Sequence, residues 1–117
     1  MAVYFVTEKP KTLLKEFIRR VNQEEAEGKI TTWVQHDDGK HFTHTSTQWK
    51  NKAFMKPTAE TERIVFNIIK PKGKPITWPV YAFYHGHLIE TFITHFHDDF
   101  SEAQATPLPD ASDNCGE

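Results

Sequence analysis

Between Ala2 and Thr7 the apolar side chains fill both sides of an alternation, Val3 and Phe5 on one and Tyr4 and Val6 on the other. That pattern predicts an interior strand. After Lys9-Pro10 the period becomes helical: Leu13, Leu14, Phe17, Ile18 and Val21 form one stripe, with Lys15, Glu16, Arg19 and Arg20 facing away. Pro10 suits the first turn, where its missing N–H has no helical partner, and Gly28 suits a left-handed residue just past the end. A helix is therefore expected from Pro10 to about Glu27.

Lys29–Asp37 and Lys40–Thr47 are rich in β-branched residues and flank Asp38-Gly39, a dipeptide that accepts the positive φ angles of a tight hairpin turn. The implied register pairs His36 with His41, Gln35 with Phe42, Val34 with Thr43 and Trp33 with His44. One face then carries Trp33, Phe42 and His44, and the other Ile30, Val34, His36 and His41. Gln48–Glu60 has no clean period and reads as a long loop carrying Trp49, Phe54 and Met55 among lysines. Arg63–Ile69 is apolar at nearly every position, as in a strand buried on both faces. Lys70–Pro75 is a turn by composition, and Ile76–Tyr84 reads as an aromatic strand whose Pro79 asks for an edge or a bulge. Beyond His85-Gly86, the positions Leu88, Ile89, Phe92, Ile93, Phe96 and Phe100 predict a second helix from His87 to Phe100, and Ala103–Thr106 a short last strand.

These elements imply an α+β fold in the order β-α-β-β-β-β-α, with the short strand after it. Its sheet is mainly antiparallel, of five or six strands, with both helices packed on one face. At 117 residues, 38% of them hydrophobic, the chain suffices for one core. Residues 1–109 are expected to form a single domain and residues 110–117 a flexible polar tail.

The net charge of −2 conceals an uneven distribution. Lys40–Lys74 holds eight basic residues against Glu60 and Glu62, whereas Pro75–Glu117 holds seven carboxylates and no Lys or Arg. Such asymmetry suits a polar partner surface as well as plain solvation. No stretch approaches the roughly 20 apolar residues of a membrane span. The start has no basic leader, and the one cysteine, Cys115, cannot form an intrachain disulfide, so a reducing cytoplasmic setting is expected.

Chemistry-bearing motifs are sparse. His95, His97 and Asp99 match the opening of the HxHxDH signature of the metallo-β-lactamase family, but Phe100 stands where its last histidine belongs, and no residue of that family is transferred. On a helix His95 and His97 project about 200° apart and do not share a metal. His36 and His41 face one another across the hairpin without further ligands at hand, so no metal site and no cofactor are assigned. There is no nucleophile elbow or Gly-rich loop, hence no catalytic residue.

Two places are left. Tyr84, His85, Gly86 and His87, at a strand-to-helix turn, would offer unpaired backbone N–H groups and two imidazoles to an anionic ligand. Trp49, Lys50, Lys52 and Phe54, in the excursion, would offer rings and ammonium groups to a partner. With 15 aromatic residues in all, some rings, Trp49 and Trp78 foremost, are expected to line a groove or a self-association surface. The leading expectation is a small non-enzymatic module that binds a protein partner or itself. A ligand-binding or acid-base pocket near Tyr84 comes second. Nucleic-acid binding through residues 48–56 comes third, because a pI near 6.4 opposes it.

Overall fold

The computed structural model describes residues 3–115. Ala2 of the expected first strand and Gly116 and Glu117 of the expected tail lie outside them. The elements are β1 (Val3–Val6), α1 (Pro10–Asn22), β2 (Trp33–Gln35), β3 (Phe42–His44), β4 (Phe54–Ala59), β5 (Arg63–Ile69), α2 (Trp78–Phe96) and β6 (Glu102–Ala105). Six antiparallel strands form one sheet in the order β2-β3-β4-β5-β1-β6. The fold is α+β, as the sequence pattern implies.

The hairpin keeps its expected register, Trp33 opposite His44 and Gln35 opposite Phe42. Gly39 adopts φ 73° at its tip, and Asp38 Oδ1 accepts the Lys40 N–H at 2.8 Å, so the turn holds itself by local bonds. α1 buries Leu13, Phe17 and Val21, one residue per turn, but it ends at Asn22, five residues short of Glu27. Gln23 is already extended. Glu24, Glu25 and Glu27 would have crowded carboxylates onto the negative end of the helix, where they are unfavourable.

Two expectations fail, and they fail in compensating ways. The stretch read as a loop contains β4, which pairs with β5 from Phe54↔Ile69 to Ala59↔Ile64. Its Pro57 lies past the point where β3 stops, since β3 meets β4 only at Phe42↔Met55, and a residue without an N–H is tolerated beside an open edge. Most of the stretch Ile76–Tyr84, read as a strand, forms the opening turns of α2, which runs from Trp78 to Phe96 rather than from His87 to Phe100. Pro79 sits in its first turn, where proline is favoured, not in a ladder. Phe100 lies outside the helix and packs its ring edge-on to Phe5 at 5.3 Å.

Both helices lie on the sheet face that carries Val3, Phe5, Ile64, Phe66 and Ile68. Phe92 of α2 stacks on Phe5 of β1 at 4.0 Å and 12°, and Phe17 of α1 meets Phe92, Phe66 and Phe42 within 5.7 Å. This aromatic knot joins the three layers of contact into one core. The polar segment from Asp110 to Cys115, expected to be loose, returns to β5: Asn114 bridges Ile69 in parallel, and Asp113 Oδ1 accepts from Ile68 N and Asn67 Nδ2.

Candidate functional site

Because α2 begins at Trp78, Tyr84, His85, Gly86 and His87 occupy its middle rather than a first turn. Their N–H groups belong to the helix ladder, so no helix terminus is presented there to an anion. At about 100° per residue the His85 side chain also projects well away from those of Tyr84 and His87. Tyr84 points into the core and is fully buried. Its hydroxyl donates to the Trp49 carbonyl and lies 3.0 Å from Thr43 Oγ1, so it ties the excursion to β3 instead of facing a ligand. Tyr84→Phe should lower stability by about 1–3 kcal/mol, the range for a buried acceptor left unpaired. Urea titration checks this, and an unchanged midpoint would show that these bonds carry no net stability.

His87 lies on the flank of α2 that faces the hairpin. Its ring is 4.7 Å from that of His44, parallel to Phe83 at 5.4 Å and 5.7 Å from Trp33. Nε2 lies 2.8 Å from the Thr32 hydroxyl and Nδ1 3.0 Å from the Glu90 carboxylate. Trp33 donates Nε1–H to Thr91 Oγ1 at 2.9 Å. His44 is buried, and its Nδ1 accepts the Ser46 N–H at 3.0 Å. That bond requires a ring unprotonated at Nδ1. Burial, followed by the neighbouring His87, holds the His44 pKa below the ordinary histidine value. This histidine pair escapes sequence reading as a pair, because His44 and His87 lie 43 positions apart. Only the placement of His44 on the Trp33 face of the hairpin hints at it.

His85 faces the other way. It stacks on Tyr81 at 3.9 Å and donates Nδ1–H to the Tyr81 carbonyl at 2.6 Å. Its Nε2 is buried with no hydrogen-bond partner among the described residues. Burial again lowers its pKa, opposed in part by the bond to Tyr81.

The excursion surface divides in two. Trp49 is stacked on Phe83 at 4.1 Å and 7°, so this ring is part of the packing. Lys50 and Lys52 are exposed beside it. Phe54 belongs to β4 and points to the sheet face away from the helices, where the His36 ring lies at 4.9 Å and the His41 ring at 6.4 Å. His41 is paired with Asp38 at 2.6 Å. The Asp38 carboxyl is lowered to about 2 by the Lys40 N–H and by His41. Among the described residues no three His, Cys, Asp or Glu side chains come together to hold a metal ion.

On that same open face the registers align Tyr4, Val6, Val65, Ile69 and Phe54 with Lys56, Arg63 and Asn67. Arg63 lies 4.7 Å over the Tyr4 ring. The face is thus an apolar strip, buried at Val65 and half-buried elsewhere, bordered by Lys56 and by Arg63, which is paired with Glu60 at 2.7 Å. Two grooves lie elsewhere, one of about 680 Å³ between α1 and the Asp98–Ser101 turn, one of about 510 Å³ beside Lys9 and Glu60. None of the eight candidate site residues, Tyr84–His87 and Trp49, Lys50, Lys52 and Phe54, lines either of them.

No family, curated protein or solved structure matches this chain. Its function is therefore read from the surfaces alone. No helix among the described residues is long and apolar enough to cross a membrane.

Proposed function

We propose that the chain is a small non-enzymatic interaction module, acting in the cytoplasm, that binds a protein partner through the open face of its sheet. The observation that carries this reading is the one-sided layering. Both helices cover one face, and the other leaves Tyr4, Val6, Phe54 and Ile69 partly exposed in a row of neighbouring strands. Rings and aliphatic side chains at the centre with cations at the border match the composition of protein interfaces. Two features weigh against a ligand pocket at Tyr84–His87: the Tyr84 hydroxyl is already bonded, and His85 and His87 diverge.

The test is capture of a partner by the whole chain, with Phe54→Ser and Lys56→Glu as variants. Both side chains lie on the open face, and their loss should weaken capture about tenfold or more, as for interface anchors, while the melting temperature stays near that of the unaltered chain. Equal capture by both variants would remove the sheet face as the binding surface. Single-stranded nucleic acid is the second reading, favoured by the pairing of Phe54 with Lys56 and Tyr4 with Arg63. It requires a gel shift that weakens steeply with salt.

A further inference from the structure

α2 is apolar around most of its circumference, which is the habit of a helix covered on all sides. Among the described residues its outer side is nevertheless open to solvent, with Ile89 alone partly packed against the core. Trp78 is 60% exposed and Ile93 52% exposed, two of the four large hydrophobic side chains most open to solvent. Trp78, Ala82, Gly86, Ile89 and Ile93 fall within about 80° of one another on the helix and extend over about 22 Å of its length. No charge interrupts this stripe.

Gly86 at its centre has no use inside the monomer. A Cβ added there would meet nothing within 4 Å, and its φ is not among the positive ones. A mid-helix glycine destabilises by about 1 kcal/mol relative to alanine. The gain that offsets this lies outside the monomer: a bare backbone lets a second helix approach closely.

We infer that α2 is a homodimer interface, pairing antiparallel with α2 of a second copy about a two-fold axis that passes beside Gly86. The stripe puts a large side chain at each end, Trp78 and Ile93, and Gly86 midway between them. In that pairing Trp78 of each copy packs against Ile93 of the other and Ala82 against Ile89, with the two glycines near the crossing point. The charges at the two ends identify the occupant as a second copy. Lys72 and Lys74 lead into α2 and Asp98 and Asp99 follow it, all four exposed. The antiparallel arrangement brings each lysine pair to the other copy's aspartate pair, twice over, whereas a parallel pair would set like charges together. A single helix pair is small beside the roughly 800 Å² per partner of a standard interface, so association is expected in the micromolar range, about −8 kcal/mol.

Sedimentation of the full chain over a concentration series up to about 1 mM, the weak end of specific association, should show a reversible monomer–dimer equilibrium. Gly86→Gln separates interface from fold because its two effects have opposite signs. It should raise the melting temperature of the monomer, since the new side chain has open space and a better helix propensity, yet weaken the dimer at least about tenfold. Chains carrying K72E and K74E, and chains carrying D98K and D99K, should each lose the dimer when alone and regain it when mixed. A chain that stays monomeric throughout the series, or a dimer indifferent to Gly86→Gln and to both charge sets, overturns the inference. Phe54→Ser serves as the control: it should leave the dimer intact, so failure here is distinct from failure of the sheet-face reading.

Discussion

Phe92→Ala should destabilise the domain by about 3–5 kcal/mol, the usual range for truncating a buried aromatic ring. Phe92 is fully buried and, like Phe17, is in contact with both the other helix and the sheet. It stacks on Phe5 and Phe17, meets Phe66 edge-on at 5.7 Å and lies 5.2 Å from Phe96. Phe5 and Phe66 are themselves held by the sheet register, so they cannot close the cavity by sliding. Against a total stability of about 5–15 kcal/mol for a domain of this size, such a loss leaves a measurable unfolded fraction at room temperature. Urea unfolding followed by the fluorescence of buried Trp33 measures it. A loss below about 1 kcal/mol, well under the range for a buried ring, would show that α1 and the sheet hold together without the knot.

The second large effect is loss of stability in mild acid. His44 and His85 are both buried, and burial holds both folded pKa values below the ordinary histidine value. His95 is lowered as well, by burial and then by Arg20. As pH falls through about 6.5, the unfolded chain takes up protons that the folded chain refuses, so the unfolded state gains. The stability these rings contribute is present above that pH and declines below it until the lower folded values are reached. His44 adds a geometric reason, since protonating Nδ1 would set a donor against the Ser46 N–H. A separate decline follows in stronger acid. Glu16, lowered to about 2 chiefly by its hydrogen bond to Arg19 and aided by Arg20, loses its contribution between its ordinary 4.5 and that value. That pair is surface-exposed and contributes little. Urea midpoints at pH 7.5, 6.5 and 5.5 should fall in that order. His44→Asn, which keeps an acceptor for Ser46, combined with His85→Leu should flatten the trend. A midpoint independent of pH in the unaltered chain would refute the burial of neutral histidines.

The parts of the fold that could be read from sequence were those where one face of an element is apolar and the other polar. α1 and the hairpin both meet that condition, and the hairpin register was right to the residue. α2 does not meet it. Trp78 to Ile89 is apolar on all sides, so no helical period stood out, and the aromatic and β-branched content imitated a strand. The helix-start signal, Thr77 before Trp78-Pro79, is present, but in so aromatic a run Pro79 reads equally well as a strand edge or bulge. β4 was hidden by Lys56 and Pro57, two residues uncommon in central strands; they are tolerated because one flank of β4 is open over most of its length. The candidate site suffered from the same error. A strand over Ile76–Tyr84 makes His85 and Gly86 a turn and puts the real neighbour of His87, which is His44, out of reach.

The position of β1 has a consequence for how the chain is made. β1 is made before the five other strands of this sheet yet sits between β5 and β6, so its partners begin at Arg63 and Glu102. At about 5–20 residues per second, the nascent chain carries the apolar segment from Val3 to Val6 unpaired for several seconds. Only α1 and the hairpin can form in that interval. Completion of the sheet has to await the last strand, which favours slow, high-contact-order folding and leaves the N-terminal strand as the segment most in need of shelter during synthesis.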